Sequence, residues 1–433
     1  MDYDPTIATT ILIGLFVVLL IFRIPITFSL VISSIVTAIY MDLTLISIVQ
    51  NMVRGVNSFS LLAIPFFIIM GELMGAGGIS NRIVKFANII VGRIRGGLAM
   101  VNVLASMFFG GISGSVVADI SSLGPIVVPM MKKKGYDKDF SVAVTVSSAC
   151  QGVIIPPSHN MILFSLAAGG VSVGKLFLGG YIPGILLGLC LAIICFIISI
   201  KKGYPKEKSV SIKEAIKITL DAILGLITAL IVVGGVVFGI FTATEAAAFA
   251  CLYAFVITFF VYREIKISYM NKILFSSLKT LAVVMSLIMA ASAFGSLLAM
   301  LQIPSKVTGT LLTITENTIL LLLLINLMLI LLGCIMDMAP LIIICTPILY
   351  PVVVDKLGMD PVQFGVMMVL NLAIGLCTPP VGSALFVGCS VGKTTIEGTT
   401  KALIPFYVAM VIALFFVTFV PQFTTFLPNL LMP

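Results

Sequence analysis

Apolar residues run along this chain in long blocks, separated by short polar stretches. Blocks that read as membrane-crossing segments lie at about 6–22, 25–41, 58–78, 140–170, 176–200, 218–239, 243–262, 276–300, 362–392 and 402–426. Most have the roughly 17 to 25 residues, or more, that a helix needs to cross about 30 Å of hydrocarbon. Two further stretches, 97–131 and 319–354, are too long for one crossing. Their second halves, marked by Pro125 and Pro129 and by Pro347 and Pro351, look short for a full helix, so each stretch is predicted to be a re-entrant hairpin. Such backbone is tolerated at membrane depth only where protein covers it or where it lines an aqueous cavity. The predicted fold class is an all-α polytopic membrane protein with about ten full transmembrane helices plus two re-entrant hairpins.

Composition narrows the picture. Of the 433 residues 60% are apolar and 10% charged, with a single histidine, which is too little polarity to cover a water-soluble globule. The start, MDYDPT, is acidic where a cleavable signal would be basic, so the first helix is expected to be retained. The eight cysteines sit inside apolar runs with no CxxC pair and read as packing residues. A net charge of +8 would suit nucleic acid only if it gathered on one exposed folded face. Instead it sorts by membrane side. With the N-terminus outside, only Arg54, Lys175, Lys306 and Lys356 fall outside, and 21 of the 25 Lys and Arg face the cytoplasm. Both termini are then predicted to be periplasmic. Segments 80–95 and 205–217 look amphipathic and interfacial; lipid anchoring is the simpler expectation, bracing of moving against fixed parts the alternative.

The chain also resembles itself. At an offset of 222 to 224 residues, Ile79-Ser80-Asn81-Arg82-Ile83 aligns with Ile303-Pro304-Ser305-Lys306-Val307. Pro125 and Pro129 meet Pro347 and Pro351, Gly135 meets Gly358, and Gly152 meets Gly375. Pro156-Pro157 meet Pro379-Pro380, and Pro183 meets Pro405. An odd number of crossings separates the copies, so the second is expected upside down. Inverted repeats with paired discontinuous helices point to a midplane binding site.

The chemistry gathers at the breaks. Each copy has a polar hairpin turn, GGISGSVVAD over 110–119 and GCIMDMAP over 333–340, and a span interrupted by a proline pair. Two prolines in succession stop a helix and free the carbonyls before them, while the next half-helix begins with unpartnered amides. One break can thus hold a cation and an anion. Ser158 and Asn160 in the first break, and Thr378 and Ser383 in the second, add oxygens suited to a hard ion such as sodium; Gly152, Gly375 and Gly382 allow close backbone approach. Asp337, a carboxylate at depth, is a candidate ligand. Asp119 either caps the returning helix or joins the site. Glu72 and Glu245 are expected in interhelical hydrogen bonds, and His159 satisfied by backbone. No Lys or Arg lies deep in a span, which favours helix-start amides and co-bound sodium over an arginine clamp for an anionic substrate.

At these residues the chain resembles the large membrane subunit of tripartite ATP-independent periplasmic (TRAP) transporters, the DctM-like family. The resemblance spans essentially the whole chain and is most specific in GGISGSVVADISSLGPIVVPMMKKKGYDKDFSVAVTVSSACQGVIIPPS and in GLCTPPVGSALFVGCSVGK. It implies an elevator in which a transport domain, about 97–170 and 319–392, slides against scaffold helices about 1–57 and 176–200. The first repeat would occupy 1–200, a cytoplasmic linker 201–217 and the second repeat 218–433. It further implies sodium-driven uptake of an organic acid (a sialic acid, a C4-dicarboxylate or a similar carboxylate) across the bacterial inner membrane, without an organic cofactor. A periplasmic binding protein would deliver the substrate, and a small four-helix membrane subunit would complete the complex. Carried over by position, one sodium site takes Ser113, Gly114, Ser115, Gly152, Pro156, Ser158 and Asn160. The other takes Asp337, Met338, Gly375, Thr378, Pro379 and Gly382, while substrate meets Ser113, Ser115, Ser158, Asp337 and Ser383. The rival within transport is a stand-alone symporter of a related inverted-repeat fold. An intramembrane enzyme is disfavoured, since the sequence carries no HExxH or GxSxG motif.

Overall fold

A computed structural model describes residues 3–207, 210–315 and 317–432. Among them there are helices and no strands. In chain order they are α1 (Pro5–Ile21), α2 (Ile26–Tyr40), α3 (Leu45–Val56), α4 (Ala63–Ala76), α5 (Ile79–Val91), α6 (Gly97–Ser113) and α7 (Val116–Lys133). There follow α8 (Lys138–Ile154), α9 (His159–Ala167), α10 (Val173–Lys202), α11 (Ile212–Val237), α12 (Ala243–Val256), α13 (Met270–Met300) and α14 (Ile303–Ile314). The chain closes with α15 (Thr318–Gly333), α16 (Met338–Tyr350), α17 (Pro361–Leu376), α18 (Ser383–Gly392), α19 (Ile396–Phe419) and α20 (Gln422–Leu431).

Local chemistry sets many of these boundaries. Asp4 caps α1 by accepting from the Thr6 amide at 2.7 Å, with Pro5 in the first turn where its missing amide costs nothing. Asp360 and Pro361 repeat the device at the start of α17. Glu245, expected between helices, instead completes a capping box with Thr242 at the start of α12.

Seven helical segments among the described residues are long and apolar enough to cross a membrane, and α8 with α9, bent by 50°, makes an eighth. The expected segments at 6–22 and 25–41 form helices of only 17 and 15 residues. At 1.5 Å per residue the shorter rises about 22 Å, less than the hydrocarbon thickness. The expected crossing at 402–426 stops at Phe419, where Pro421 turns the chain into the short α20.

The prolines of the hairpins act differently from the expectation. Pro125 and Pro129 lie inside the 18-residue α7, which runs through them. Pro347 lies inside α16, and Pro351 opens a wider turn, Pro351–Lys356, that continues the helix to 19 residues. The second halves are therefore not short. Packing on α6, α8 and α18 holds α7 in shape, and the wider turn in α16 absorbs the missing amide.

From α4 to α10 the order of elements returns from α13 to α19. Both α5 and α14 are entered through a left-handed residue, Gly78 at φ 72° and Gln302 at φ 54°. The halves interlock: α7 packs on α18, and α16 packs on α9. One large core contains the hairpins and breaks, while a smaller core joins α1, α2 and α3 to the second half of α13. Buried polar pairs tie helices together, as where the Asn102 amide donates to Thr145 Oγ1 at 2.7 Å.

α5 is the amphipathic helix expected over 80–95; of its two cations, Lys85 is exposed and Arg82 is held by protein. Arg82 pairs with Asp221 at 3.0 Å and Glu264 at 2.6 Å and lies over the Tyr262 ring at 3.7 Å. Of the stretch 205–217, residues 208–209 lie outside the described residues, and 212–217 are the opening turns of α11, which Ser211 caps. Nearby, the Lys202 ammonium and the Tyr204 hydroxyl bond the Asp137 carboxylate and hold it below its usual pKa.

Candidate functional site

Two breaks and two tips meet at the centre of the molecule. α8 ends at Ile154 and α9 starts at His159; α17 ends at Leu376 and α18 starts at Ser383. Both Pro156–Pro157 and Pro379–Pro380 are cis. Each break leaves carbonyls at the end of one half-helix and amides at the start of the next outside the helical ladder.

Each hairpin closes on the break of its own repeat. The Asn160 side-chain amide donates to the Gly114 carbonyl at 3.2 Å. In the second repeat the amides of Val381 and Gly382 donate to the Cys334 carbonyl at 3.2 and 3.0 Å. Facing glycines make this closeness possible. A Cβ on Gly152 would stand 2.7 Å from Gly110 Cα, and one on Gly375 would stand 2.6 Å from Gly333 Cα.

The tips also start helices. Ser115 caps α7, accepting from the Ala118 amide at 3.4 Å, and Asp337 caps α16, accepting from the Met338 amide at 2.9 Å. Thr378 Oγ1 is committed to the Ile374 carbonyl at 2.8 Å. By contrast Ser158 Oγ and Ser383 Oγ, at the starts of α9 and α18, have no hydrogen-bond partner. Asp119 does not cap α7. It lies fully buried one turn in, beside Ser106, with neither carboxylate oxygen hydrogen-bonded. Among the described residues no three of His, Cys, Asp and Glu gather as a metal site.

A cavity of about 670 Å³ opens between the two tips and the facing sides of α4 and α13. Ser113, Ser115, Asn160, Asp337 and Met338 line it, as does His159. Pro156, Ser158, Thr378, Pro379, Gly382 and Ser383, with Gly152 and Gly375, stand behind the tips and do not reach its wall. The first residues of α7, α9 and α16 all line it, so three positively polarised helix starts border the cavity.

Sequence reasoning missed the opposite wall, formed by Glu72, Tyr269, Lys272, Ser276 and Thr280. Glu72 does make an interhelical bond, accepting from Ser276 Oγ at 3.1 Å, but it also faces the cavity. Lys272, above the Tyr269 ring, supplies a cation at the rim that a search for deep positive charges passes over. The signal was there: Lys272, Ser276 and Thr280 recur every four residues and fall on one helical stripe.

The comparisons agree with this architecture. The family model of the tripartite ATP-independent periplasmic transporter, DctM component, matches residues 13–423. The sialic acid TRAP transporter large permease protein SiaM of Vibrio cholerae is 39% identical, covering 94% of this chain and 95% of its own. The C4-dicarboxylate TRAP transporter large permease protein DctM of Vibrio cholerae is 38% identical, covering 98% of each. Among solved structures the Alcanivorax borkumensis YdaH transporter superposes with a TM-score of 0.63, covering 86% of each chain at 15% identity, a likeness of fold. A helical chain whose two hairpins close on two broken helices, matched over nearly its whole length by large permeases, is a transporter subunit and not an enzyme, and it belongs to the DctM family of TRAP transporter components.

Proposed function

We propose that this subunit translocates an organic carboxylate, driven by sodium, across the bacterial inner membrane. The observation that carries the reading is the cavity between the tips, toward which the starts of α7, α9 and α16 converge opposite Lys272. A carboxylate placed there meets helix-start amides and one ammonium group, while its hydroxyls have Ser113, Ser115, Asn160, Ser276 and Thr280 to bond. Relatives named for sialic acid, C4-dicarboxylates and isethionate bracket the substrate class as small organic acids.

The oxygen-rich tip-and-break units fit a hard cation. Sodium would be held by Ser113 to Ser115 with Ser158 and Asn160 in one unit, and by Asp337 with the break over 375–382 in the other; the two unspent hydroxyls, Ser158 and Ser383, support this fit. Bound there, it would supply the positive charge that lets tips and anion close together. The interlocked hairpins and half-helices form one packed body suited to move as a unit against α4 and α13, which favours an elevator. The inward bias of the basic loops favours periplasmic termini, with the cavity, at the end of α4 and the start of α13, open to the cytoplasm. Family membership brings a small membrane subunit and a periplasmic binding protein as partners.

The test is uptake of labelled organic acids into proteoliposomes with and without a sodium gradient, adding both partners. Uptake that needs sodium and the binding protein is the expected result. Uptake without the binding protein would instead make the chain a stand-alone symporter, and uptake indifferent to sodium would remove the coupling.

A further inference from the structure

A second hollow, of about 800 Å³, lies far from the cavity, between the start of α8, the end of α10 and the start of α19. Four lysines line it: Lys138, Lys201, Lys202 and Lys401. Its two acidic groups are already spoken for. Asp137 is bonded by Lys202 and by the Tyr204 hydroxyl, and Asp139 by the Thr394 hydroxyl. Lys401 reaches Glu397, one turn away. Lys138 and Lys201 pair with no carboxylate among the described residues, so two free ammonium groups face the hollow.

The surface beside it is apolar. α10 and α19 pack side by side, and toward the middle of the bilayer they present Ile193 and Ile197, and Val408 and Ile412, all exposed. Lys401, Pro405, Val408 and Ile412 fall on one stripe of α19. Positive charge at the end of a crossing helix, continued by apolar stripes of acyl-chain length, is complementary to a lipid with an anionic phosphate head. A soluble anion would use the lysines and leave the stripes unused. A zwitterionic lipid would bring its own ammonium group against Lys138 and Lys201.

We infer that this hollow is a binding site for an anionic phospholipid, its phosphate between Lys138 and Lys201 and its chains along α10 and α19. Each lysine near a charged headgroup contributes about a fivefold factor in affinity, so losing both weakens retention about 30-fold. The site joins the helix leading into the first break to two helices that flank it, so its occupancy bears on how α8 is held.

Native mass spectrometry of the full chain, released from bilayers of equal phosphatidylglycerol and phosphatidylcholine, is the test. Selective retention of phosphatidylglycerol, lost in Lys138→Gln/Lys201→Gln and kept in Lys138→Arg/Lys201→Arg, is the expected result. A control pair, Lys85→Gln/Lys133→Gln, removes the same charge outside the hollow and should change nothing. Equal retention of both lipids, an equal loss in the control pair, or displacement of phosphatidylglycerol by millimolar inorganic phosphate would each overturn the assignment. An unchanged melting temperature of the glutamine pair in neutral detergent excludes misfolding as the cause.

Discussion

Asn160, one residue into α9, donates its side-chain amide to the carbonyl of Gly114 at the tip of the first hairpin, 3.2 Å away. The contact fastens the turn between α6 and α7 to the start of the half-helix that follows the first break. Asn160→Ala should leave the Gly114 carbonyl without its donor, at a cost of about 1 to 3 kcal/mol. The measurement is the apparent melting temperature in detergent, expected to fall, together with sodium-dependent uptake, expected to fall more steeply than protein yield. Unchanged values would make the contact incidental.

Gly375→Ala should be severe. Its methyl would meet the backbone of Gly333 at 2.6 Å, where nothing short of parting α15 from α17 gives relief, and overpacking costs about 1 to 3 kcal/mol. Gly309→Ala, in α14 with nothing within 4 Å of the added methyl, serves as the neutral comparison. Thermal unfolding of the two variants should separate them; equal curves would mean the glycine contact carries no energy.

Asp337 has two separable roles to test. As the cap of α16 it accepts from Met338, a task that asparagine also performs. Asp337→Ala should lose about 1 kcal/mol of stability and also sodium-dependent uptake, whereas Asp337→Asn should keep the stability and still lose uptake. Full uptake by the asparagine variant would reduce Asp337 to a cap.

Arg82→Gln should lower the melting temperature where Lys85→Gln, exposed on the same helix and in no ion pair among the described residues, does not. Arg82 joins α5 to Asp221 and Glu264 and covers Tyr262, and stacking plus ion pairing of this kind contributes about 1 kcal/mol. Equal effects of the two substitutions would show that α5 is held by its apolar face alone.

Much of this molecule can be read along the chain because prolines and glycines punctuate it. The proline pairs at 156–157 and 379–380 mark real breaks, since two adjacent prolines remove successive amides and clash with the turn before them. Single prolines misled: Pro125 and Pro129 suggested an end to α7, yet close packing on α18 carries the helix through. Gly152 and Gly375 stood out in the internal repeat as sites of close backbone approach, but that each faces Gly110 or Gly333 is set by packing that no local pattern reports. The wall of Lys272, Ser276 and Thr280 was overlooked for a different reason. Its residues sit near a helix start, where polar side chains need no special explanation. The short helices α3, α14 and α20 escaped because helices of 10 to 12 residues are too brief to stand out as apolar blocks.

The crossing of the two halves, α7 on α18 and α16 on α9, also constrains how the chain can be born. The first hairpin is complete at Lys133, but the half-helix that covers it begins only at Ser383. At about 5 to 20 residues per second, roughly 10 to 50 seconds of synthesis separate the two. Throughout that interval the side of α7 around Gly124, against which Val391 of α18 later packs, waits in the membrane without that cover. The order of synthesis therefore exposes the nascent first hairpin to lipid or to a protein chaperone before the second half arrives. Substitutions that lengthen this exposure should reduce the amount of transporter made, even when the finished molecule would work.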